Sequence, residues 1–180
     1  MTSIFRRFPD FYAIVSVYAV IAVPAFGWTT VVWFWKLPYW IKFLTPGEIG
    51  AIFWYAMATA FFESMTVIGF LLLFSFVLPA RILRDRFGTR GTWLALGLAL
   101  SFLGHGVWLA LQGRSFIQDS LVLWSLVSLP VIFLLAFAST RVHFLTWIAE
   151  WLSDRLIVFL YILLPLSILS VLIVVVRNIF

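Results

Sequence analysis

Five runs of apolar residues organise the chain, at residues 11–35, 49–78, 92–111, 121–140 and 156–176. Each meets the roughly 20-residue length that a helix needs to cross the hydrocarbon core of a bilayer. Strands of a membrane barrel would alternate polar and apolar positions, and these runs do not. The pattern therefore predicts five membrane-spanning α-helices, since closed barrels and helices are the only spanning structures that satisfy their own backbone.

The breaks between the runs carry helix signals. Asp10 is placed to cap helix 1, and Ser120 and Ser153 to cap helices 4 and 5. Thr45-Pro46-Gly47-Glu48 reads as a capping box with proline at the first helical position. Gly88 and Gly91 are expected at the turn between helices 2 and 3. Pro24, Pro130 and Pro165 fall inside apolar runs and predict kinks there.

Two connecting stretches have an interfacial pattern. Residues 36–45 mix Trp40, Ile41, Phe43 and Leu44 with Lys36 and Lys42. Residues 141–155 set His143, Thr146, Glu150 and Asp154 on one stripe, with Phe144, Leu145, Ile148, Trp151 and Leu152 on the other side. The second stretch predicts an amphipathic helix lying on the membrane face, or an extension of helix 4 packed on its own protein.

Composition removes most other classes. The 180 residues are 64% hydrophobic and only 11% charged, against about 45–50% apolar and about 25% charged in soluble domains. A soluble fold of this size keeps too much surface to hide that excess. The net charge of +5 then serves topology and anionic headgroups. Nucleic-acid binding is not expected, because the loops are too short to build a basic face. The absence of cysteine excludes disulfides, thiol catalysis and cysteine-ligated metal sites.

Charge also orients the chain. With the N-terminus inside, Arg6, Arg7, Arg81, Arg84, Arg86, Arg90, Arg141 and Arg155 are cytoplasmic, and Lys36, Lys42, Arg114 and Arg177 are outside. The positive-inside rule favours that arrangement, with the C-terminus outside, in a cell (inner) membrane. Trp28, Trp33, Trp35, Trp40, Trp54, Trp108 and Trp124 cluster toward the outer ends, and Trp93, Trp147 and Trp151 toward the inner ends, as a two-sided aromatic belt. The first run continues to Trp35, too long for a signal-peptide core, and is expected to be a retained helix.

Glu63 is the most informative single residue, near the middle of the second run. An acid at the centre of a spanning helix costs roughly 2.5–3.5 kcal/mol on insertion scales. Residues 52–78 contain 14 Leu, Ile, Val or Phe, which return about 4–8 kcal/mol at roughly 0.3–0.6 kcal/mol each. The helix tolerates Glu63, but tolerance does not explain it. Ala56, Thr59, Ala60 and Thr66 share its face at helical spacing. A small, polar stripe of this kind is expected to face other helices or a cavity. The carboxyl is then either a neutral group bonded to a neighbouring helix or a proton, ion or polar-substrate site.

His105 is the second candidate. Trp93, Gly97, Ser101, Gly104, His105 and Trp108 form one stripe of helix 3, Gly97 and Ser101 make a small-xxx-small pair, and Gly106 follows. Gly97, Gly104 and Gly106 are read as helix-packing positions. A short connection makes helices 2 and 3 expected antiparallel neighbours whose polar faces meet. Glu63 lies 17 residues from Ala80 and His105 13 residues from Thr92, an axial offset of about 6 Å. Direct contact between them is one arrangement, and a bridge through a water or Ser101 is the other. Ser125, Ser128, Ser167 and Ser170 read as helix–helix contacts.

No catalytic constellation emerges. No aspartate lies inside an apolar run, there is no H-E-x-x-H, and Gly113-Arg114-Ser115 falls in a loop. The two histidines, His105 and His143, sit at opposite depths and do not form a haem pair. Neither enzyme activity nor a cofactor or metal is expected.

The sequence thus predicts an all-α integral membrane protein, a five-transmembrane-helix bundle with one amphipathic interfacial helix. Its partners are the lipid bilayer and other membrane subunits or further copies of itself. Short loops and the lack of catalytic groups favour a subunit or accessory protein of a larger membrane complex. The alternatives are a homo-oligomeric proton- or ion-linked transporter or channel using Glu63, and a lipid-binding protein with a groove near helices 2 and 3.

Overall fold

A computed structural model describes residues 9–112 and 118–179. Arg6, Arg7, Arg114 and the Gly113-Arg114-Ser115 segment lie outside the described residues. The chain forms α1 (Phe11–Trp40), α2 (Pro46–Val77), α3 (Phe87–Leu111), α4 (Gln118–Ala138) and α5 (His143–Ile179), with a 3-10 turn at Arg84–Arg86, and no strand among the described residues. All five helices are long and apolar enough to cross a membrane.

α1 is the centre. Every residue from Ser16 to Ala22 is buried, so neighbours surround this stretch on all sides. Small side chains such as Ala19 and Ala22 let those neighbours approach, and α2, α3 and α5 all pack on α1. α2 and α5 also pack on each other. α4 is peripheral: it leans chiefly on α3, and only 11% of its apolar window is buried, against 44% in α1. Outward faces are carpeted with large apolar groups such as Leu126, Leu134, Ile162 and Phe70.

The start of α2 follows its sequence closely. Thr45 Oγ1 accepts from the Glu48 amide at 3.4 Å, and the Glu48 carboxylate accepts from the Thr45 amide at 2.8 Å. This closes the capping box, with Pro46 inside the first turn. Asp10 occupies the cap position of α1 but makes no side-chain capping bond.

Four local expectations are corrected. Ser120 lies inside α4, and Ser153 lies inside α5, where its hydroxyl donates to the Ala149 and Glu150 carbonyls at 2.8 and 3.1 Å. Gly88 and Gly91 belong to α3, not to the turn. A Cβ on Gly91 would stand 2.9 Å from Val17 Cγ2, so glycine is there to bring α3 onto α1. The stretch 141–155 is neither a separate interfacial helix nor an extension of α4: from His143 it is the first part of α5, which runs 37 residues without interruption. At 1.5 Å per residue that is about 55 Å, well beyond a roughly 30 Å hydrocarbon core. Finally, α2 and α3 are not packed neighbours. α1 carries both of them, and a gap separates them.

Candidate functional site

The gap is a substantial cleft among the described residues. α1 and α3 form its floor, α2 one wall and α4 the other, enclosing a cleft of about 700 Å³. Its lining comes from the middle of α1, α2 and α3 and from the first half of α4. The cleft exists because α4 is held by α3 and not by α2. Its lining is mainly Leu, Ile, Val, Ala, Phe and Trp, interrupted by a few polar side chains.

Glu63, Thr59, Thr66, Ser101 and His105 all line this cleft. The helical face of α2 that packs inward is Met57, Ala60, Ser64, Ile68, Leu71 and Ser75, at spacings of three or four residues. Glu63 is one position away from Ser64, so it stands on the shoulder of that face. It is exposed to the cleft, as are Thr59 and Thr66. Ala60, expected on the same stripe, is buried. The two threonine hydroxyls donate back to their own helix, to the Tyr55 and Phe62 carbonyls at 2.9 and 2.7 Å. Among the described residues none bonds to the Glu63 carboxyl or pairs with it, His105 included.

The α3 wall is built differently. His105 is only 2% exposed. Its Nε2 lies 3.2 Å from Ser120 Oγ of α4, and its ring lies 6.0 Å from Trp108 and 5.6 Å from Trp124. Trp124 Nε1 donates to Ser101 Oγ at 2.9 Å and to the Ser101 carbonyl at 3.1 Å. The polar stripe of α3 is therefore engaged with α4, not with α2. Gly97 makes this possible: a Cβ there would lie 2.7 Å from Ile132 Cγ2. A Cβ on Gly104 would stand 3.5 Å from the Trp124 ring, an ordinary contact distance. Nothing lies within 4 Å of a Cβ on Gly106, so close packing does not require glycine at that position.

Other residues complete the lining. Ser125 and Ser128 face the cleft from α4, and Pro24, Trp28 and Thr29 from α1. The serines carry a sequence signal, as paired polar groups in an apolar run, though one that reads equally well as helix packing. The α1 residues carry none, because their role depends on which helix stands beside them. Beneath Glu63, Ser64 Oγ and Tyr18 Oη lie 3.4 Å apart, joining α2 to α1 in the buried layer.

The site thus offers one uncommitted carboxyl on a wall of committed hydroxyls, opposite an aromatic, hydrogen-bonded wall. Among the described residues no three metal-ligating side chains gather. A cleft of this volume falls within the range that holds a small molecule, with few polar groups fixing its orientation. No family model, curated protein or solved structure matches the chain.

Proposed function

We propose that the chain is a five-pass membrane protein whose cleft between α2 and α4 binds a small amphiphilic molecule. The supporting observation is the free Glu63 carboxyl on the wall of a largely apolar cleft of about 700 Å³. An acid at bilayer depth is expensive unless it faces protein, water or a ligand. Here protein does not meet it. The ligand's apolar body would lie against Leu98, Phe102 and Leu129, and a hydroxyl, amine or amide on it would meet Glu63. The test is extraction and mass spectrometry of molecules that copurify with the intact protein, alongside Ala99→Trp, which fills the cleft. A defined amphiphile retained by the wild type and lost from Ala99→Trp is expected. Equal retention by both proteins, or only bulk membrane lipid in each, overturns the reading.

A second reading, a subunit or accessory protein of a larger membrane complex, is supported by the lopsided packing of α4. One side of α4 rests on α3, and Leu123, Leu126, Val127 and Leu134 are exposed on the rest. A partner helix could complete the α2–α4 wall. Native mass spectrometry from the source membrane distinguishes the two: heterologous subunits in fixed ratio support the complex, and a partner-free species excludes it.

A further inference from the structure

At the other end of the α2–α4 gap, toward the α2–α3 turn, lies a second and smaller space of about 260 Å³. Arg90 is the one polar residue in its lining, which is otherwise Leu, Ile, Phe and Ala. The guanidinium sits over the Phe137 ring at 5.1 Å. It donates from Nη1 to the Ile82 carbonyl at 2.6 Å and to the Arg81 carbonyl, and from Nη2 to Thr140 Oγ1 at 3.3 Å. Its Nε is buried and has no partner. Arg86 reaches the same corner, donating to the Thr140 carbonyl at 3.0 Å.

All the acceptors in this corner are neutral. Arg81, Arg84, Arg86, Arg90 and Arg141 bring five positive charges to this end of the bundle, and Asp85 is the one acid in the α2–α3 connection. None of the five arginines forms an ion pair among the described residues. Asp85 is close enough to act on Arg90, but so is Arg86, and arginine outnumbers acid around the mouth of this apolar slot.

We propose that this slot is a binding site for an anionic membrane lipid. The phosphate lies among Arg81, Arg86 and Arg90, and part of one acyl chain enters between α3 and α4 toward Leu98 and Leu129. Those two leucines also line the large cleft, so the chain points along the gap. A free phosphate would use the arginines and leave the slot unexplained. A zwitterionic lipid would fill the slot and leave the excess of arginine unmatched. The chain end meets the large cleft at Leu98 and Leu129, whereas the arginines and the lining from Leu71 to Leu83 belong to this site alone.

The test uses the full-length protein, delipidated in detergent and titrated with phosphatidylglycerol or phosphatidylcholine of matched chains, read by native mass spectrometry. Phosphatidylglycerol should bind at least about tenfold more tightly. Each arginine near the surface contributes about fivefold to such binding, so Arg81→Gln/Arg86→Gln should weaken it by about 25-fold and abolish the preference. Phe133→Trp, at an exposed lining position that tolerates change, should weaken it while leaving every arginine in place. Equal binding of the two lipids overturns the proposal, as does a double variant that behaves like wild type. If inorganic phosphate displaces the lipid at similar concentration and Phe133→Trp has no effect, the occupant is free phosphate and the lipid site is wrong.

Discussion

Glu63 separates what a helix can carry from what it needs. Insertion scales charge roughly 2.5–3.5 kcal/mol for an acid at the centre of a span and credit about 0.3–0.6 kcal/mol for leucine there. Among the described residues the carboxyl makes no bond that a substitution would break. Glu63→Leu should therefore leave the protein as stable or more so, with a midpoint raised by several degrees at about 2–4 °C per kcal/mol. The same variant should lose the copurifying amphiphile. Thermal unfolding in detergent together with ligand extraction checks both halves. A large drop in midpoint would make Glu63 a strut of the bundle and remove it from the site. Glu63→Gln keeps the size and one hydrogen-bonding face, so ligand loss there identifies the carboxylic acid itself as the recognising group. The polar residues that α2 and α3 bring to this cleft are legible in the sequence because polar side chains in an apolar run are rare, whereas its α1 residues are not. Thr59, Glu63, Thr66, Ser101 and His105 all reach one space. Their orientation is less legible: periodicity groups the residues of one helix, but does not say which neighbour that face meets. A short connection sets His105 and Ser101 opposite α2, and instead they hold Ser120 and Trp124 of α4.

At the scale of elements, the α3–α4 seam decides whether the cleft exists. α4 leans chiefly on α3, and the tightest point is Gly97 against Ile132, whose Cγ2 would stand 2.7 Å from an alanine methyl at position 97. Gly97→Ala should force the helices apart and cost about 1–3 kcal/mol, the usual range for overpacking. Ile132→Ala, which removes the clashing atoms, should recover much of that loss in a double-mutant cycle. Additive losses would show that the two positions do not meet. Gly106→Ala is the contrast, since open space surrounds that position. It should stabilise α3 by about 0.5–1 kcal/mol through helix propensity alone. Thr45→Ala should cost α2 about 1 kcal/mol by opening the capping box, seen as faster hydrogen exchange over its first turn. That cap is readable because its signal is local and complete within four residues. The continuity of α5 is not, because the polarity of residues 141–155 suggests a break in direction. No glycine or proline occurs between His143 and Pro165, so nothing in the backbone stops the helix, and its polar first turns simply extend past the apolar part.

The whole molecule is built round α1 with a gap along one side, and α5 ties both ends. Near the start of α1, Tyr12 Oη donates to Asp154 Oδ1 at 2.9 Å. At the far end, Asn178 Nδ2 donates to Tyr55 Oη at 2.7 Å, and Arg177 sits over the same ring at 6.0 Å. Five helices are long and apolar enough to cross a membrane; if all five cross, the termini fall on opposite sides, and the charge pattern predicts which side is which. The α2–α3 turn and the first turn of α3 hold Arg81, Arg84, Arg86 and Arg90 within ten residues, whereas the α1–α2 loop end has Lys36 and Lys42. Translocating the turn would carry four arginines across; translocating the loop carries two lysines, so the turn should stay in the cytoplasm. The chain contains no cysteine, which gives a silent background for labelling. Lys42→Cys should react with a membrane-impermeant maleimide on intact cells. Asp85→Cys should react only after the membrane is opened. The reverse pattern would place the arginine-rich turn outside. The anionic lipid bound there would then come from the outer leaflet, and the charge count would have been outweighed by the insertion of the apolar runs themselves.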